Sequence, residues 1–215
     1  MKLSYLLVGS ALLACVGVVQ ASVIPVGNGS FETVGVSIGV GGGGEAWYSL
    51  PASAPGVWEY TGTTDAWTQY QVGTSDGAHF TAAADGTRIL NLIKFGTLTQ
   101  TFSTVNAGDA FTLEFDVAKG LLGGSGGAGT LTASILVGGT PIATGATFAT
   151  TVAAGAWDHK TLTGTATSTG ALSISFAPGT NSPWLDNVTM TVVPEPASLG
   201  LLSLAGLAML RRRRA

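Results

Sequence analysis

The sequence predicts an all-β protein, an antiparallel β-sandwich set between two removable ends. Three observations lead there. Between residues 22 and 193 apolar side chains recur at every second position, turn dipeptides separate these runs, and no long stretch keeps a 3.6-residue period. Phe111, Leu113, Phe115 and Val117 alternate with Thr112, Glu114 and Asp116. Leu131, Ala133, Ile135 and Val137 repeat the pattern, as do Leu172, Ile174 and Phe176, and then Val188, Met190 and Val192. Successive strand side chains point to opposite faces, so each run offers one face to a core and the other to water. Asn28-Gly29, Asp76-Gly77, Asp85-Gly86, Ala107-Gly108-Asp109, Gly138-Gly139 and Pro178-Gly179 supply the turns. Two glycine clusters, at 39–44 and 123–129, are expected as loops.

The ends of the chain read differently. Residues 1–21 open with Lys2, continue as an apolar run and close on Val19-Gln20-Ala21, the plan of a secretory signal peptide cleaved after Ala21. Leu12-Leu13-Ala14-Cys15 resembles a lipobox, yet the apolar run continues past it to Val19, so ordinary cleavage is expected. That cleavage removes Cys15, the only cysteine, and leaves no thiol or disulfide chemistry. Residues 194–215 hold Pro194-Glu195-Pro196, an apolar run from Ala197 to Leu210, and then Arg211, Arg212, Arg213 and Arg214. As a helix that run is about 21 Å long, shorter than a hydrocarbon core of ~30 Å. The arginines favour the cytoplasmic side and keep the domain outside. A short span of this kind suits transient retention better than a permanent anchor.

With both ends set aside, residues 22–193 form one domain of ordinary size. Four Lys and Arg stand against eleven Asp and Glu in it, a formal charge of −7. So few cations cannot neutralise a phosphate backbone, which argues against nucleic acid as a partner. No metal-ligand or nucleophile motif is present: His79 and His159 look solitary, and no Gly-x-Ser-x-Gly accompanies the serines. The expectation is therefore a domain that is not an enzyme. Five tryptophans, at 47, 58, 67, 157 and 184, suit either a sandwich core or stacking on sugar rings. Trp47 and Tyr48, just after a glycine cluster, are the candidate ligand-binding pair, because loops carry binding. Trp58 and Tyr60 have the spacing of one strand face.

The motifs "NGSFE" at 28–32 and "WLDNVTMTVV" at 184–193 resemble the two ends of galactose-binding-like jelly rolls, such as carbohydrate-binding modules of the family 4/9 type. "DGTRILNL" (85–92), "LTQTFSTVNAGDAFTLEFDVA" (98–118) and "WDHKTLTGTAT" (157–167) look like the exported choice-of-anchor C domain. The resemblance implies that the first and last strands lie together, with a structural calcium to which Glu32 and Asp186 would contribute carboxylate oxygens and backbone carbonyls the rest of the shell. The tail resembles the PEP-CTERM sorting signal. What that implies is an exosortase-type transpeptidase as partner, transient inner-membrane anchoring, and delivery to the surface or extracellular matrix of a Gram-negative bacterium. The expected role is a glycan-binding or polysaccharide-associated protein, or else a structural surface or biofilm protein without a specific ligand, with a secreted hydrolase as the third alternative.

Overall fold

A computed structural model of the chain describes residues 20–33, 58–62, 82–92, 96–118, 130–143, 152–153, 155–179 and 183–193, and the backbone of four further strands at 37–40, 46–48, 67–71 and 146–149. Ala21–Pro194 is one compact unit, and Met1–Gln20 with Glu195–Ala215 is another. The sorting residues Pro194, Glu195, Pro196 and Arg211 to Arg214 lie outside the described residues. Among those described, no helix is long and apolar enough to cross a membrane.

The elements are β1 (Ser22–Ile24), β2 (Ser37–Val40), β3 (Ala46–Tyr48), β4 (Glu59–Gly62), β5 (Trp67–Gln71), β6 (Arg88–Leu92) and β7 (Gly96–Val105), followed by β8 (Ala110–Ala118), β9 (Thr130–Val137), β10 (Thr140–Pro141), β11 (Ala146–Ala149), β12 (Trp157–Thr165), β13 (Gly170–Pro178) and β14 (Trp184–Val193). They form two antiparallel sheets. The first runs β12-β8-β14-β6-β5-β3-β2, with β1 added on β14; the second runs β10-β9-β13-β7-β4, with β11 added on β9. The jelly-roll expectation that first and last strands meet is borne out, since Ser22 pairs with Val192 and Ile24 with Met190.

The alternation read from the sequence becomes the core. Phe111, Leu113, Phe115 and Val117 of β8 meet Leu131, Ala133, Ile135 and Val137 of β9 and Leu172, Ile174 and Phe176 of β13 in one buried cluster. Burying each of these larger side chains is worth about 1.5–3 kcal/mol. Phe115 packs edge-on against Phe176, with ring centroids 5.1 Å apart. Trp58 is core rather than platform, 5.9 Å from Phe176 and 5.7 Å from Phe31. Buried Gln100 exchanges two hydrogen bonds with the Gly27 backbone, donating to its carbonyl at 2.9 Å and accepting its N–H at 2.8 Å. That pairing satisfies a polar side chain inside the core and ties the entering chain to β7. Pro178 ends β13, whose pairing with β9 continues to that residue, and Gly179 follows at the start of the connection to β14.

A second, smaller apolar cluster lies apart from this core. Ile89, Ala118 and Trp184 are buried in it, with Ala83 and Trp157 packed against them. Ala118 and Trp184 pair directly across β8 and β14. Their neighbours Val117 and Leu185 face the main core, so this cluster covers the outer face of the first sheet.

Candidate functional site

Three motifs that are distant in sequence converge at one end of β14. The "NGSFE" turn is closed locally, the Asn28 side chain exchanging two 2.8 Å hydrogen bonds with the Thr33 backbone. The same turn docks on β14, where Val188 donates its N–H to the Gly29 carbonyl at 3.0 Å. A Cβ at Gly29 would run into the Val188 carbonyl oxygen, so only glycine allows this approach. Glu32 then reaches the turn before β6. Its Oε1 accepts the Thr87 and Arg88 N–H groups at 2.7 Å each, and its Oε2 accepts the Thr87 hydroxyl at 3.0 Å. From the other side, Asp186 Oδ2 accepts the N–H groups of Ala84 at 2.8 Å and Asp85 at 3.0 Å. Ser30 donates its hydroxyl to Asp85, closing the ring of contacts.

The fold therefore brings Glu32 and Asp186 onto one short segment, 84–88, but as acceptors of N–H groups. Calcium takes oxygen ligands with lone pairs to spare, and N–H dipoles aimed at these oxygens oppose a cation. Among the described residues, no group of three or more His, Cys, Asp or Glu side chains could hold a metal. In this arrangement the two carboxylates serve N–H and hydroxyl donors of the chain itself.

The titratable groups that sequence reading treated as scattered come together on β12, β8 and β14. His159 pairs with Asp116 across β12 and β8, and Asp116 pairs with Asp186 across β8 and β14. One register row thus carries a histidine and two aspartates. His159 Nδ1 lies 2.9 Å from Asp116 Oδ1. Its Nε2 is 3.7 Å from Glu114 Oε1. Asp116 Oδ2 accepts a 2.8 Å hydrogen bond from the Asn187 side-chain amide. The Asp116 side chain is 10% exposed and that of His159 54%, so a half-open imidazole rests on a covered carboxylate.

The electrostatics follow from these contacts. The hydrogen bond to Asp116, with the charges of Asp116 and Glu114 behind it, holds the His159 pKa above its usual 6.5, and desolvation offsets only part of that. Asp186 is 0% exposed. Burial pushes its pKa up to about 7, against the pull of N–H bonds from Asp85, Asn187 and Ala84. Two residues along β12 from His159, Trp157 donates its indole N–H to the Ala82 carbonyl at 3.0 Å and packs on the outer apolar cluster.

Of the other candidates, Trp47 and Tyr48 fall in β3, and their side chains lie outside the described residues, as does His79. Trp184 and Trp58 are buried and Trp157 is half-buried. Ala21, the expected cleavage position, is exposed immediately before β1. The His159 site was missed because nothing in "WDHKT" reveals which strand lies beside it.

Comparison with known proteins places the domain in a family. A family model described as HpiC1 cyclase matches residues 22–191. The PEP-CTERM protein-sorting motif matches residues 192–214, in agreement with the tail as read, and marks the chain for export and exosortase processing. No curated protein matches the sequence. Among solved structures, an apo cyclase from Fischerella sp. is similar at TM-score 0.59 and 18% identity, over 81% of this chain and 97% of that one. The Stig cyclase Fisc from Fischerella sp. TAU, in complex with (3Z)-3-(1-methyl-2-pyrrolidinylidene)-3H-indole, gives TM-score 0.58 and 17% identity over 81% and 99%. The carbohydrate-binding module TmCBM61, in complex with β-1,4-galactotriose, is more distant, at TM-score 0.41 and 14% identity over 62% and 86%. The cyclase match overturns the expectation of a domain that is not an enzyme, which rested on the absence of a sequence motif. Over residues 22–191 this chain belongs to the HpiC1-like family.

Proposed function

We propose that the exported domain is an acid–base catalyst of the cyclase type, with His159 as the proton-transferring group. One observation carries this reading: His159 Nδ1 is held 2.9 Å from the covered Asp116 while the rest of the ring is half-exposed. An imidazole tied at Nδ1 presents Nε2 as the acid or base, and the carboxylate behind it stabilises the imidazolium. The raised pKa keeps the protonated, donating form populated close to neutrality. A cyclisation without change of oxidation state needs a proton added at one atom and one removed from another. A single imidazole that cycles between its two states does both. Trp157 and the apolar cluster beside the histidine favour a flat, electron-rich aromatic substrate, and the indole compound bound by Fisc has that character. Delivery by the sorting signal puts this chemistry at the cell surface or in the extracellular matrix.

The test uses the full chain in detergent with indole as probe, in D2O. Acid–base catalysis at an aromatic carbon adds a deuteron to C3 and removes the proton from it, which NMR reads directly. Exchange faster than in buffer alone, and lost in His159→Gln, is the expected result; equal rates in protein and buffer would sink the proposal.

A second reading, glycan binding, is favoured by half-buried Trp157 standing on the same strand face as His159 and exposed Thr161. A ring beside polar groups suits a sugar's apolar face and hydroxyls. A glycan array with the full chain and its Trp157→Ala variant decides this one. Absence of saturable binding by the unsubstituted chain removes it.

A further inference from the structure

The β-bulge in β14 offers an account of how the His159 site is held. Leu185 lies in the main core and Asp186 faces outward, so strict alternation would turn residue 187 inward. Instead the pairing with β8 shifts register between Asp186 and Thr189, Val188 takes the core position, and Asn187 is the inserted residue. Its φ is 51°, in the left-handed region that Asn tolerates and β-branched or bulky residues avoid. Bulges of this kind re-aim a side chain. Here the backbone N–H of Asn187 donates to Asp186 Oδ1 at 2.7 Å while its side-chain amide donates to Asp116 Oδ2 at 2.8 Å. The opposite amide orientation would set two oxygens against each other, so the chemistry fixes which end faces Asp116.

Asp116 is consequently gripped on both oxygens, by Asn187 on one and by His159 on the other. A carboxylate held on one oxygen only turns easily about its last bond, because that torsion is broad. We propose that Asn187 is a positioning residue of the His159 site: the bulge aims its amide at Asp116, and the locked carboxylate sets the tautomer and direction of the imidazole. The link to catalysis rests on the reading of His159 as the proton-transferring group; the link to ring orientation does not.

The experiment separates the two. In the full chain with 15N-labelled histidine, long-range 1H–15N spectra above the His159 pKa report which ring nitrogen carries the proton. The expected spectrum shows His159 protonated at Nδ1 alone. Asn187→Gly keeps a residue at ease with positive φ and deletes only the amide; Asn187→Asp, also at ease there, removes the donor while keeping the shape. Thermal melts identify which variants are folded. In each folded variant His159 is expected to become a mixture of both tautomers, with indole exchange slowed about tenfold at saturating indole, a change of about 1.4 kcal/mol in the barrier. A single Nδ1-protonated tautomer that survives in the folded variants overturns the proposal, whatever the exchange rate. Scrambled tautomers, with no exchange even in the unsubstituted chain, leave the positioning role standing and remove the catalytic one.

Discussion

Asn91 shows what one side chain can cost a sandwich. It is 3% exposed on β6, opposite Trp184, and its amide oxygen finds no hydrogen-bond partner among the described residues. A buried acceptor left unpaired costs about 1–3 kcal/mol, and an apolar side chain of similar size avoids that. Asn91→Leu should therefore raise stability by about 1 kcal/mol, read as a later midpoint in urea at unchanged slope. A destabilised variant would mean that the amide has a partner. The environments of Asn91 and His159 are both invisible in the sequence. Asn91 passes for an ordinary polar strand residue because its burial depends on the outer cluster. His159 passes for a solitary histidine because its partners stand 43 and 45 positions away in the numbering of β8.

Segment 84–88 is an element with almost no core of its own. It is held by N–H groups donated to Glu32 at one end and Asp186 at the other. Glu32→Ala removes the acceptor of two backbone donors and a hydroxyl, at a cost of about 1–3 kcal/mol. Hydrogen exchange should then accelerate at Thr87 and Arg88 well before it does at β8 and β13. Uniform acceleration across the sheets would instead make Glu32 part of the global fold. The row on β12, β8 and β14 gives the pH dependence. Asp186 has a higher pKa folded, about 7, than its ordinary 3.8, so between these values the native state holds a proton that the unfolded chain has lost. Its contribution is therefore greatest at acid pH and declines as pH rises to about 7. His159, also raised, contributes fully below 6.5 and loses that contribution as pH rises through its folded value. Both slopes have the same sign. The melting temperature should fall from pH 5 to pH 8, and His159→Gln should flatten the upper part of that fall. A melting temperature rising over this range would contradict both assignments.

In the whole molecule, the strand pairing of both termini is what joins the parts. β14 is flanked by β8 along its length, by β6 at its start and by β1 near its end. At its junction with Glu32 and segment 84–88, both carboxylates are engaged by the protein's own donors. A chelator should accordingly leave the melting temperature of the full chain unchanged in calorimetry, whereas a drop of several degrees would restore the metal reading. The sandwich, its core runs, the meeting of β1 with β14 and the sorting tail were all legible in the sequence. Alternation, turn dipeptides and end motifs are local patterns, and local patterns survive in a one-dimensional reading. Position 187 was not legible, since "WLDNV" reads as plain strand and the bulge exists only as a register shift against β8. The grouping of Asp116, Asp186 and His159 was hidden for the same reason. Pairing in a sheet is a relation between strands, and the long-range contacts that choose each neighbour leave no periodic mark on the strand they choose. Alternation along the chain thus settles which face of a strand meets the main core, while the tertiary fold alone selects which opposite faces stand side by side and so assembles the site.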